Sequence, residues 1–188
     1  MLCGGKSSRM GEDKSKLQIS FVYKQVTFAK YMYKKLSYIF DDVYLSYKDD
    51  KSYDFSHKAI IDTSPIHSPL IAFKSIFDNL KTMGHKKVFI IAVDFVNINK
   101  SLVKKLYYSH KNGATISKTK HYKNYLCGVY DIDNLSILDD MIKKDNHKVG
   151  MFFEKIKGSK TRYFKNDKKF LNLNYKQDYE NYLKEKRK

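Results

Sequence analysis

The chain has 188 residues, with 37 Lys and Arg against 20 Asp and Glu, a net charge of +17 with His neutral. Hydrophobic residues make up 42% and aromatics 15%. This excludes a disordered basic tail, which would lack the side chains for a core. There is no run of about 18 apolar residues, so no membrane helix is expected, and Met1-Leu2-Cys3-Gly4-Gly5 lacks the apolar stretch of a signal peptide. The length suits one domain spanning 1–188. Cys3 and Cys127 are the only cysteines, too few for a disulfide framework or a metal cage, so a reducing, cytoplasmic setting is expected.

Arg stands only at positions 9, 162 and 187, and every other basic residue is Lys. Lys, Asn, Tyr, Ile and Phe are abundant while Gly and Pro are scarce, the profile of an A/T-rich coding sequence. Excess Lys is also the electrostatic footprint of nucleic-acid binding. Here it is spread along the whole chain and reads as solvated surface, so no nucleic-acid partner is expected.

The chain alternates helical and strand patterns. Phe28, Tyr31, Met32, Lys35, Leu36 and Ile39 recur at helical spacing after Thr27, a candidate N-cap. Val43 to Tyr47 and Ala59 to Ile61 read as strands. A second helix follows Pro69, with Leu70, Phe73, Ile76, Phe77 and Leu80 on one face. Lys87 to Val93 is a continuous apolar run, as a strand buried on both faces requires. Leu102, Val103, Leu106 and Tyr107 mark a third helix, and Leu135, Leu138, Met141 and Ile142 a fourth. Ala114 to Ser117, Tyr125 to Tyr130 and Thr161 to Phe164 read as further strands, and a polar helix runs from Lys176 toward Lys186. Such alternation predicts an α/β fold with a mostly parallel sheet and helices on both faces.

The richest segment is Leu2-Cys3-Gly4-Gly5-Lys6-Ser7-Ser8-Arg9-Met10-Gly11-Glu12-Asp13-Lys14. Glycines let a backbone approach a ligand closely, and successive N–H groups form an anion nest. Arg9 offers a planar fork for phosphate oxygens and Lys14 a mobile point charge. The spacing is neither GxxxxGK[ST] nor GxGxxG. On composition alone the segment reads as a phosphate cradle or as a polar turn.

Asp94 ends the most apolar strand, where open α/β sheets bind ligands. A lone carboxylate there suits Mg²⁺, which takes few protein ligands, or caps the following turn. Asp62 follows Ile61 in the same way. It can accept from N–H or hydroxyl groups of a ligand, or form an Asx turn into Thr63-Ser64-Pro65. Asn172 and Asn174 would share one face of a strand and suit a metal or a polar ligand, or simply a turn before the last helix. The stretch from Lys118 to Tyr125 has no acidic residue and suits an anionic ligand or a solvated loop. The six His show no metal-ligand spacing.

Leu2 to Lys14 resembles the LxGGxSxRMGxDK signature of the MobA-type molybdenum cofactor guanylyltransferases, within the nucleotidyltransferases. Weaker likeness runs along nearly the whole chain. Ser68-Pro69-Leu70-Ile71-Ala72 is similar to the family's GPLxG helix start, with Ala72 in place of Gly. Asp62 and Asp94 stand like its nucleotide-facing and metal-binding Asp, and Phe170-Leu171-Asn172-Leu173-Asn174 is similar to its FxNxN segment. Ser46 aligns with a nucleotide-contacting Asn. Asp94-Phe95-Val96 lacks the family's Pro, and Tyr175-Lys176 replaces its Thr-Pro.

The resemblance implies the three-layer, Rossmann-like nucleotidyltransferase fold. It implies transfer of GMP from GTP to the phosphate of molybdopterin, with release of pyrophosphate. The catalytic residues would be Arg9, Lys14 and Asp94. Nucleotide binding would fall to Leu2, Cys3, Gly4, Gly5, Lys14, Ser46, Asp62 and Asp94, Mg²⁺ to Asp94, and the pterin side to Asn172 and Asn174. GTP and molybdopterin would be the small-molecule partners, and other cofactor-biosynthesis proteins and molybdoenzyme chaperones the macromolecular ones. A monomer without membrane contact is expected. Alternatives are a relative using CTP or a sugar phosphate, or a basic binding protein of this fold that has lost catalysis. In the family a full strand precedes the Gly-rich loop. Here only Met1-Leu2 do, so that strand is expected to be absent, leaving unpaired backbone groups and a gap in the core.

Overall fold

The computed structural model describes residues 1–4, 11–21, 24–48, 51–173 and 175–186. Among these, the elements in order are β1 (Gln18–Phe21), β2 (Lys24–Thr27), α1 (Phe28–Ser37), β3 (Tyr44–Lys48), β4 (Lys58–Asp62), α2 (Pro69–Thr82), β5 (Lys87–Ile91), α3 (Lys100–Ser109), β6 (Ala114–Lys118), β7 (Lys123–Asp131), α4 (Leu135–Lys143), α5 (Val149–Lys155), β8 (Lys160–Tyr163) and α6 (Lys176–Lys186).

The helices begin where local chemistry satisfies their first N–H groups. Thr27 accepts from the Lys30 N–H at 3.3 Å, Ser68 from Leu70 at 3.1 Å and Asn99 from Leu102 at 3.0 Å, and Pro69 opens α2. Each helix buries one stripe: Phe28, Met32 and Leu36 on α1, Leu70, Phe73, Ile76, Phe77 and Leu80 on α2, Leu102, Val103 and Leu106 on α3.

β3 and β4 pair in parallel, and β5, β7, β6 and β8 lie side by side in that order. β7 runs antiparallel to both neighbours, and β8 is parallel to β6. The two sheets are joined by the first residues of the chain. Leu2 makes parallel bridges to Ser46 of β3 and to Ala92 just beyond β5. Leu2 donates to the Ile91 carbonyl at 2.8 Å and accepts from Val93 at 3.0 Å. On the other side Ser46 donates to the Met1 carbonyl and accepts from Cys3, both at 2.8 Å. The order across the joined sheet is therefore β4, β3, Leu2, β5, β7, β6, β8. Only β7 breaks the parallel run, so the α/β, mostly parallel, Rossmann-like expectation holds.

The alternation of a strand sends successive side chains to opposite faces, which produces two cores and three layers. Cys3, Leu45, Ile91 and Val93 pack with α1 and α3. Leu2, Ile60, Ile90 and Tyr130 pack with α2, α4 and α5. No helix of the described residues is long and apolar enough to cross a membrane. Two features escape the sequence reading. The β1–β2 hairpin is a ribbon with little apolar patterning, and α5 buries consecutive Phe152 and Phe153, which give no helical period.

β6 and β7 shift register between Ile116 and Ser117. Opposite this irregularity sits Gly128, where a Cβ would lie 2.5 Å from the Thr115 carbonyl oxygen and 2.9 Å from the Ile116 Cα. Both obstacles are backbone in a central strand and cannot yield cheaply. Gly128→Ala is expected to cost about 2 kcal/mol, read as a lower urea midpoint with an unchanged slope.

Candidate active site

A cavity of 700 Å³ opens at the carboxyl ends of β3, β4 and β5. From the central residues 1–3 the chain passes to β3 and β4 on one side and only then to β5 on the other. The cavity therefore sits where the strand order reverses, the usual ligand crevice of open α/β sheets. Leu2, Cys3, Gly4, Lys14, Ser46, Asp62 and Asp94 all line it. They come from separate stretches of sequence.

Lys14 and Asp94 meet first. Lys14 opens a single 3₁₀ turn, Lys14–Lys16, capped by Asp13, whose carboxylate accepts from the Ser15 N–H at 3.0 Å and the Ser15 hydroxyl at 2.8 Å. That turn aims the Lys14 ammonium at Asp94 Oδ2, 2.8 Å away. Burial pushes the Asp94 carboxyl above its ordinary value, while Lys14 works against that shift. The other oxygen, Oδ1, is buried and has no hydrogen-bond partner. Such an atom is costly to leave unsatisfied, and it belongs to a residue that lines the cavity.

Lys51 holds the opposite side of the same turn. Its ammonium lies 2.8 Å from Asp13 Oδ2 and donates to the Cys3 carbonyl at 2.9 Å. Burial alone would raise the Asp13 carboxyl, but Lys51 and Ser15 together hold it below the usual carboxylate range. Asp13 is thus a positioning residue, turned toward Lys51 and Ser15.

Lys48 and Asp62 are register partners at the ends of β3 and β4, with Nζ to Oδ2 at 3.0 Å. Lys48 also donates to the carbonyls of Ser64 and Ile66, the latter at 2.9 Å. Asp62 Oδ1 accepts from the Ser64 N–H at 3.0 Å, the Asx turn that the sequence allows. Both carboxylate oxygens therefore already have partners at the cavity wall. Ser46 contributes through its backbone, which pairs with Met1 and Cys3, while its buried hydroxyl has no partner. The space in front of Gly4 is open, so its backbone is accessible to a ligand. Burial pushes the Cys3 thiol up to about 11 and Cys127 to about 12, so both are inert at neutral pH.

Gly5, Arg9 and Asn174 lie outside the described residues. Asn172 is half-buried with an unpartnered Oδ1, and it is not among the described residues lining the cavity. The turn after Lys118 joins β6 to β7 and does not line it either. Lys48 and Lys51 escape the sequence reading. Their partners Asp62 and Asp13 are distant in sequence, and nothing in a Lys-rich chain separates them from surface lysines.

A family model described as a MobA-like NTP transferase domain matches residues 1–154. A molybdenum cofactor guanylyltransferase of Campylobacter jejuni subsp. jejuni serotype O:6 is 36% identical over 192 residues, covering 100% of this chain and 95% of that protein. The solved molybdopterin-guanine dinucleotide biosynthesis protein A of Archaeoglobus fulgidus superposes with a TM-score of 0.77 at 17% identity, covering 99% of this chain and 96% of that one. A 2-C-methyl-D-erythritol 4-phosphate cytidylyltransferase of Thermus thermophilus superposes at 0.67 with 10% identity over 100% and 98% of the two chains, a likeness of fold alone. The matched segment contains the Gly-rich loop, Lys14 and the carboxylates that end β4 and follow β5, and the chain belongs to the MobA-like NTP transferase family.

Proposed function

We propose that this chain transfers GMP from GTP to the phosphate of molybdopterin, in its metal-free or molybdenum-bound form, releasing pyrophosphate. Membership of a nucleotidyltransferase family supports the reaction class, and full-length relatives with the guanylyltransferase name support the substrates. The observation that carries the mechanism is the Lys14–Asp94 pair at the switch point, with Asp94 Oδ1 buried and unpartnered.

An oxygen of the pterin phosphate forms a bond to the α-phosphorus of GTP. The bond from that phosphorus to the oxygen bridging to the β-phosphate breaks, and pyrophosphate leaves with the electron pair. A phosphate monoester is largely ionised at neutral pH, with a second pKa of about 6, so no general base is needed. What the protein must supply is alignment and neutralisation of charge. The Gly4 backbone, with Gly5 and Arg9 beyond it, cradles the triphosphate. Lys14 exchanges its carboxylate partner for phosphate oxygens, and Lys51, through Asp13, keeps the turn that carries it in place. Asp62 and Ser46 contact the nucleoside, and Asn172 and Asn174 serve the pterin side.

Mg²⁺ fits this site. It takes one or two carboxylates and completes its shell with water and phosphate, and Asp94 offers one buried unpartnered oxygen. Among the described residues no group of three His, Cys, Asp or Glu could hold a metal by itself. When bound, the ion neutralises charge on the triphosphate. The setting is cytoplasmic and the protein a monomer. It passes product to other cofactor-biosynthesis proteins and molybdoenzyme chaperones.

Lys14→Ala and Asp94→Asn are each expected to lower GMP transfer at least about 100-fold, the scale of a removed electrostatic group. Near-normal turnover in both would sink the mechanism, and CTP working as well as GTP would sink the substrate assignment. Burial raises the Asp94 carboxyl, so its ionised fraction falls at a higher pH than for an ordinary carboxylate. The Mg²⁺ concentration giving half-maximal rate is therefore expected to rise as pH falls from about 8 to about 5. A requirement that does not change with pH counts against Asp94 as the ligand.

A further inference from the structure

Between β3 and β4 the chain reads Lys51-Ser52-Tyr53-Asp54-Phe55-Ser56-His57. It belongs to neither strand, yet it alternates: Lys51, Tyr53, Phe55 and His57 are half-buried, and Ser52, Asp54 and Ser56 are exposed. Extended backbone sends successive side chains to opposite sides, so an ammonium and three rings turn inward together. The rings brace one another. Tyr53 lies edge-on to Tyr47 of β3 at 5.1 Å and to His57 at 5.6 Å between centroids. Phe55 and His57 pack on Tyr33 of α1 at 5.6 and 6.4 Å. His57 Nδ1 donates to the Phe55 carbonyl at 2.7 Å, and its Nε2 pairs with the Tyr47 hydroxyl at 2.9 Å, which fixes the ring in its plane.

This brace holds the Tyr53 hydroxyl against the turn that carries Lys14. The hydroxyl lies 2.9 Å from that of Ser15, which in turn lies 2.8 Å from Asp13 Oδ1. The direction of this chain of bonds is fixed. An ionised carboxylate only accepts, so the single Ser15 hydroxyl hydrogen goes to Asp13 and Tyr53 donates to Ser15. Ser15 is fully buried, where a lost partner is not replaced by water. Burial pushes the Tyr53 phenol up, so it keeps its hydrogen at neutral pH. Tyr53 also shares a hydrogen bond with the Cys3 thiol. Lys51 reaches the same two places, through Asp13 and the Cys3 carbonyl. Residues 51–57 therefore grip the Gly-rich segment at both ends, at Cys3 where the chain leaves the sheet and at Asp13 and Ser15 on either side of Lys14.

We propose that Tyr53 is a positioning residue for GMP transfer, acting through Ser15 on the turn that aims Lys14. The proposal rests on the reading of Lys14 as the cation that takes up phosphate oxygens. A Lys side chain is long and flexible, so its aim depends on the backbone beneath it, and small misplacements of such a group are expensive in rate. Lys51 secures the turn by charge. Tyr53 secures it from the aromatic side by a neutral hydrogen bond to a buried hydroxyl.

The test is Tyr53→Phe in the full chain, which removes the hydroxyl and keeps the ring packing. It is expected to lower kcat for GMP transfer at least about fivefold with the GTP KM changed less than about twofold, the pattern of an interaction that acts in the transition state. In a Lys14→Ala background the same change is expected to lower the rate by less than about twofold, because the effect runs through Lys14. A second readout needs no turnover. Acylation of the Lys14 amine by acetic anhydride, followed by mass spectrometry, is expected to speed up at least about threefold in Tyr53→Phe as the turn opens more often. An unchanged kcat, an equal loss in the Lys14→Ala background, or unchanged labelling of Lys14 would each overturn the proposal. If the unmodified chain transfers no GMP, the proposed function fails on its own, and the labelling still decides whether Tyr53 holds Lys14.

Discussion

The structure hangs on the two-sided pairing of Leu2. A residue in a sheet can satisfy a strand on each side only if both neighbours lie at strand spacing, so Leu2 sets the separation of β3 from β5. Everything at the active site inherits that spacing. Cys3 and Gly4 leave the sheet at its carboxyl edge because Leu2 is paired, and Asp94 reaches the same edge because Ala92 is paired across from it. The Lys14–Asp94 contact of 2.8 Å then closes the site across residues 80 apart in sequence.

The site's electrostatics are built from three Lys–Asp pairs, Lys14–Asp94, Lys48–Asp62 and Lys51–Asp13. Each is mostly shielded from water, where an unpaired charge would be costly. The pairs differ in what they leave available. Asp13 and Asp62 spend both oxygens on Lys and on turn N–H groups, so they fix backbone. Asp94 keeps one oxygen without a partner, and that asymmetry sets it apart as a ligand. The large positive charge of the chain matters here only through a few lysines.

Most of the secondary structure was legible because it obeys simple periods. The strand from Lys87, the caps at Thr27 and Ser68, and the stripes of α1 to α4 appear at their expected places, except that Lys87 and Tyr107 are exposed and Val88 and Phe89 only half-buried. What escaped was local structure whose stability comes from elsewhere. The β1–β2 ribbon is made of four-residue strands, too short for Ile19 and Phe21 to mark a period, and the pairing of Met1 to Cys3 involves fewer residues still. At the site, Lys14 and Asp94 were legible from motif and strand end, Asp62 equally as ligand or Asx turn, while Lys48 and Lys51 had no signal at all.

The sequence by itself determined the α/β class, the helical faces, the family signature in Leu2 to Lys14, and the candidates Asp62 and Asp94, because periodicity, caps and a long motif are local. Tertiary structure alone decided which of these meet. It turned Asp13 toward Lys51, gave Asp62 a structural share through Lys48 and Ser64, and left Asp94 Oδ1 buried without a partner. The reason is physical: strand register and hydrogen-bond partners depend on residues far apart in the chain, and no local pattern encodes the geometry that brings Lys14 to 2.8 Å from Asp94 and Lys48 to 3.0 Å from Asp62.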